Sequence, residues 1–145
     1  MNKNFLVSSF LALAVMLGSS FTWSADTASD TAQVKLQASS MAEIKALAEA
    51  TGSYKPKDVK LNSTAHQMTV TITNSKLNTA AVTNREAEAN KIVSAIARAI
   101  ADKPAFSQLP AIHVVYVKRQ GRKLVPVQSI DFFKTPAGVF VLHKT

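Results

Sequence analysis

Two stretches decide the fold between them: "HQMTVTITN", from His66 to Asn74, and "NREAEANKIVSAIARAIADK", from Asn84 to Lys103. In the first, Met68, Val70 and Ile72 alternate with Gln67, Thr69, Thr71 and Thr73. Successive strand side chains point to opposite faces, so this pattern predicts a strand with one apolar and one wet face. In the second, Ala89, Ile92, Val93, Ile96 and Ile100 fall on one side of a helix, and Glu86, Glu88, Lys91, Arg98 and Asp102 cover the other. Thr83 and Glu86 have capping-box spacing, and no breaker intervenes before Pro104. A long amphipathic helix beginning at Thr83 is expected.

Lengths then constrain topology. A strand of about nine residues and a helix of about twenty are both roughly 30 Å long, at ~3.3 and ~1.5 Å per residue. The helix therefore returns the chain to the sheet edge where the strand began. The next apolar run, "IHVVYVK" from Ile112 to Lys118, must run parallel to the first strand in a right-handed crossover. After it come "RQGR", a turn around Gly121, then "LVPVQSIDFF", then "KTPAG" with Pro136 at the second turn position, and finally "VFVLH". This is the pattern of a three-stranded meander. Counting back from the Pro136 turn brings the last strand about as far as Ser129, with His143 opposite it. Pro126, which lacks an N–H for a ladder, then lies beyond that pairing.

Upstream, Ser40 and Glu43 repeat the capping-box spacing, Met41, Ile44, Leu47 and Ala48 form an apolar stripe, and Gly52 is placed to end a short helix. "YKPKDVKLN" offers at most a short edge strand at Val59 to Leu61. The expected class is α+β: a short N-terminal helix, then β-α-β-β-β, with a mixed four-stranded sheet packed on one face by the helices.

The first 24 residues address compartment. Lys3 is their only charge, Phe5 to Leu17 is apolar, and Thr22-Trp23-Ser24 puts small residues at the minus-three and minus-one positions of a cleavage site. This is the pattern of an export signal, and its apolar run is shorter than the ~20 residues of a transmembrane helix. No cysteine precedes the mature start, which excludes lipid attachment at a lipobox. With no cysteine at all, disulfides, thiol catalysis and cysteine-bound zinc are excluded as well. The expected organisation is a cleaved signal peptide at 1–24, a flexible leader at 25–38 and a single domain at 39–145, in an exported protein, periplasmic or extracellular. No internal repeat, second domain boundary or transmembrane segment after cleavage is expected.

The 145-residue chain carries 17 basic and 9 acidic side chains, and losing Lys3 lowers that excess by only one. Such a balance favours encounters with anionic surfaces. If the first two strands of the crossover finish at one edge, the loop Asn74 to Thr83, the start of the long helix and the "KRQGRK" tip gather there. Turn chemistry accounts for Asn74, Ser75 and Asn78, and solvated edge protection accounts for Lys118, Arg119, Arg122 and Lys123. The functional reading joins these seven residues and Arg85 into an anion-binding edge at a helix start. Partners of that chemistry are an anionic envelope component such as a glycolipid or lipid headgroup, or an acidic protein. Nucleic acid is disfavoured, because Tyr116 is the only aromatic residue near the tip.

No cofactor or metal signature is present in the sequence. His66, His113 and His143 are the only histidines, and none has metal-ligand spacing with another histidine. Ser129 and Asp131 share a strand face, and with His143 they compose the one catalytic grouping the sequence offers. No nucleophile turn or oxyanion element accompanies it. The expectation is thus an exported, non-catalytic binding or accessory protein, with a small secreted hydrolase built on Ser129, His143 and Asp131 as the alternative.

Overall fold

The computed structural model describes residues 24–144. The expected export signal and cleavage site fall in 1–24 and so, apart from Ser24, lie outside the described residues. The chain runs as helix α1 (Ser24–Gly52), strands β1 (Val59–Ser63) and β2 (Met68–Thr73), helix α2 (Val82–Ile100), and strands β3 (Ala111–Gln120), β4 (Lys123–Lys134) and β5 (Phe140–His143). Short 3-10 turns at Pro56–Asp58, Lys76–Thr79 and Pro104–Phe106 join them. The class is α+β, with one five-stranded mixed sheet in the order β1-β2-β3-β4-β5.

The β2–α2–β3 unit has the expected form: β2 and β3 are parallel, with Met68 opposite Ile112 and Thr73 opposite Val117. The apolar stripe of α2, Ala89, Ile92, Val93, Ile96 and Ile100, is buried. It shares one core with Met68, Val70 and Ile72 of β2, Ile112, Val114 and Tyr116 of β3, Ile44 and Ala48 of α1, Val59 of β1, Ile130 and Phe132 of β4, and Phe106 and Leu109 of the connection before β3.

Four expectations are corrected. The sheet has five strands rather than four, because Val59 to Ser63 pairs along its whole length with β2. Its inward Val59 is buried and Leu61 half-buried, which is enough to hold a short edge strand. Helix α1 begins at Ser24, so 25–38 has helical backbone and Ser40 sits inside the helix rather than capping it. The reason is the absence of any breaker: no glycine or proline occurs between Ala25 and Thr51, and alanine-rich sequence continues a helix readily. Helix α2 starts one residue ahead of Thr83, with Ala81 at the cap and no side-chain capping bond. Finally, β5 pairs two residues away from the expected register, with His143 opposite Asp131 and Phe140 opposite Lys134. Here Thr135 N–H donates to Val139 O at 2.8 Å, so the turn takes up more chain than a tight two-residue loop.

Because β5 covers only Asp131 to Lys134, Pro126 faces no strand on its outer side. It stands opposite Val117 of β3, next to a register shift at Tyr116/Val117 that leaves Val127 unopposed. A bulge beside a proline is a common way for a ladder to absorb the missing donor. Beyond the bulge the β3–β4 hairpin leaves the core: Lys118 through Val127 are all exposed.

Candidate functional site: a basic edge and its cleft

The ends of β2 and β3, the start of β1, the start of β4 and the first turn of α2 share one end of the sheet, as their pairings require. The expected gathering of loop, helix start and hairpin tip therefore exists. Its eight predicted residues divide into two groups.

Lys118, Arg119, Arg122 and Lys123 occupy the exposed hairpin tip. Gly121, at φ 59°, and Arg122 form its two-residue turn, closed by Gln120 opposite Lys123. Glycine suits a turn whose first residue needs a positive φ. None of the four cations has an ion-pair partner among the described residues.

Asn74, Ser75, Asn78 and Arg85 instead hold the loop: Ser75 and Arg85 are buried, Asn78 is half-buried and Asn74 is exposed. Asn74 (φ 53°) ties it to the hairpin: its Oδ1 accepts from Arg119 N–H at 2.8 Å, and its own N–H donates to Val117 O at 2.9 Å. Ser75 Oγ accepts from Leu77 N–H at 3.0 Å, capping the 3-10 turn. Asn78 Nδ2 donates to Val117 O at 3.0 Å, while its Oδ1 is buried without a partner. Arg85 is only 7 % exposed. Its Nη1 donates to Leu77 O at 2.8 Å and Ala80 O at 2.7 Å, and its Nε donates to Gln128 Oε1. A guanidinium buried on α2 thus donates to Ala80 O and adds a second donor to Leu77 O, which also accepts from Ala80 N–H at 3.0 Å within the 3-10 turn.

Next to this loop lies a group that sequence reasoning missed. Glu88 Oε2 accepts from the hydroxyls of both Tyr116, at 2.8 Å, and Tyr54. The Tyr54 hydroxyl also meets Ser75 Oγ at 2.9 Å. Burial, reinforced by the bonds to Glu88, pushes both phenols far above their ordinary value, so they act as donors at neutral pH. Gly52 makes the Tyr54 position possible, since a Cβ there would overlap the tyrosine ring. The sequence signal for this network is negative: helical periodicity places Glu88 among the charges that cover the outer side of α2. Nothing local marks a carboxylate that meets tyrosines 34 and 28 residues away.

A cleft of about 450 Å³ opens over this network, lined by Gly52 to Lys55, Asp58, Thr73 to Leu77 and Glu88.

On the helix-free face of the sheet, Asp131 Oδ1 accepts from His113 Nδ1 at 2.7 Å and from Ser129 Oγ at 3.0 Å. The bond from His113 is the main influence holding the Asp131 carboxyl below its ordinary value. His143 stacks edge-on against Phe133 with centroids 5.2 Å apart. Ser129 is thus bonded to the aspartate and not to a histidine. The grouping lacks the serine-to-histidine link through which an imidazole activates a nucleophile.

Among the described residues there is no cluster of His, Cys, Asp and Glu that could hold a metal ion, and no helix is long and apolar enough to cross a membrane. No protein-family model, curated protein or solved structure matches the chain.

Proposed function

We propose that this is an exported, non-catalytic binding or accessory protein of the cell envelope, and that it meets an anionic partner through the basic edge. One observation carries the reading: Lys118, Arg119, Arg122 and Lys123 have no ion-pair partner among the described residues and stand on a hairpin that projects past the core. The base of that hairpin is pinned by Asn74 and Asn78. A surface cation gains little from folding, but four of them held on one short arm create a local positive field that attracts a polyanion. Asn74, Ser75, Asn78 and Arg85 serve the same edge by holding its loop in place.

Retention on an immobilised polyanion tests this. Replacing Arg119, Arg122 and Lys123 by Gln should abolish retention at low salt with little change in melting temperature, whereas Lys134→Gln with Arg98→Gln, away from the tip, should leave retention intact. Wild-type binding should weaken steeply as added salt shortens the ~10 Å screening length found at 0.1 M. Equal losses from the two sets of variants would reduce the edge to diffuse attraction by net charge.

A further inference from the structure

We propose that the cleft beside the hairpin receives one acidic, hydroxyl-rich sugar unit of an anionic polysaccharide, an assignment that deepens the reading of the basic edge and rests on it. The cleft, at about 450 Å³, lies in the ~300–1,000 Å³ range of small-ligand sites. Its walls carry charges of both signs: Lys55 and Lys76 on one hand, Asp58 and Glu88 on the other. Among the described residues, Lys55, Lys76 and Asp58 have no ion-pair partner. Glu88, which lines the cleft, receives both tyrosine hydroxyls on Oε2, so that neither tyrosine occupies Oε1. Ser53 (φ 54°) and Asn74 (φ 53°), the two non-glycine residues with positive φ among the described residues, both line it.

This combination discriminates among ligands. A bare polyanion pairs with the two ammonium groups but is repelled by Asp58 and Glu88, because a carboxylate has no proton to donate. A neutral sugar donates hydroxyls to the carboxylates but leaves the lysines without counter-charge. An acidic sugar satisfies both sets, its carboxylate meeting Lys55 and Lys76 and its hydroxyls donating to Asp58 and Glu88. Continuity with the hairpin argues for a polymer rather than a free monosaccharide. Asn74 lines the cleft and accepts from Arg119 N–H at 2.8 Å, so a chain leaving the cleft passes directly onto the cationic arm.

The experiment titrates the full mature chain with tetragalacturonate, with maltotetraose and with short-chain polyphosphate, at low salt. Wild type should bind tetragalacturonate at least tenfold more tightly than maltotetraose. The decisive variant is Asp58→Ala, whose side chain makes no hydrogen bond or ion pair within the described residues and whose loss should leave the melting temperature unchanged. It should weaken tetragalacturonate binding about tenfold while strengthening polyphosphate binding, since one ligand loses an acceptor and the other loses a repulsion. Lys55→Gln with Lys76→Gln should weaken both. Tighter binding of both ligands by Asp58→Ala, or polyphosphate binding to wild type without tetragalacturonate binding, would overturn the sugar assignment and leave the basic edge standing. Failure of the wild type to bind either anion would overturn the basic edge and the cleft together.

Discussion

Glu88 shows how much one side chain can organise when its neighbours come from distant parts of the chain. Its Oε2 gathers Tyr54 from the exit of α1 and Tyr116 from β3, and these are the protein's only two tyrosines. Both phenols are pushed upward by burial and by the carboxylate, so the folded state holds their protons more tightly than the unfolded chain does. Stability contributed this way is complete below the ordinary tyrosine value of 10.0 and is lost as pH rises beyond it. An ultraviolet titration should therefore show no tyrosinate until the protein unfolds, after which both groups ionise in one step. Gradual ionisation of either tyrosine with the fold intact would show that the network does not hold.

Arg85 is the second residue whose role depends on burial. Arg85→Met keeps much of the volume but leaves Ala80 O without the guanidinium that donates to it, while Leu77 O keeps its bond from Ala80 N–H. The expected cost is roughly 1 to 3 kcal/mol, the range for one acceptor left unmet. Denaturant unfolding measures it directly, and a loss under ~0.5 kcal/mol would mean that water replaces the guanidinium easily.

At the scale of elements, α2 is held by its buried stripe more than by its cap. Ile96 is fully buried in the core, so Ile96→Ala should cost ~2–5 kcal/mol through lost contacts and a residual cavity. Thr83 lies inside the first turn and makes no capping bond. Thr83→Ala should thus change stability by less than ~0.5 kcal/mol, in place of the ~1 kcal/mol that a capping threonine contributes. A cap-sized loss in equilibrium unfolding would put the helix start back at Thr83.

The stripe of α2 and the alternation of β2 were legible because each is a periodic pattern read within one element. The caps were not, because capping-box spacing at Thr83/Glu86 and Ser40/Glu43 occurs equally well inside a helix. Which residue becomes the cap depends on where the preceding loop is anchored, and for α2 that anchoring comes from Arg85 and Ser75.

Across the whole molecule, stability and exposure separate along the β3–β4 hairpin. Ile112, Val114 and Tyr116 are fully buried, whereas everything from Lys118 to Val127 is exposed. Local opening needs less free energy where few apolar contacts are lost. Amide hydrogen exchange should accordingly be slowest in β2, the first half of β3 and the middle of α2, and fast in the hairpin from Lys118 to Val125. Protection of the tip equal to that of Val114 would mean that a second surface covers it, in which case the four cations are not free to meet a partner.

The sequence by itself determined the α+β class, the parallel pairing across α2, and the arrival of the Asn74 loop and the Lys118 to Lys123 tip at one end of the sheet. Those follow from periodicity and from element lengths, which are local quantities. Only the tertiary structure decided what the residues at that end do. It bonded Asn74, Ser75, Asn78 and Arg85 to backbone and side-chain groups of the loop and hairpin, left the hairpin cations without an ion-pair partner among the described residues, and joined Tyr54, Glu88 and Tyr116 beneath a cleft. The hydrogen-bond partners of a buried polar group are whatever the packing brings within about 3 Å, and no spacing along the chain records which these will be.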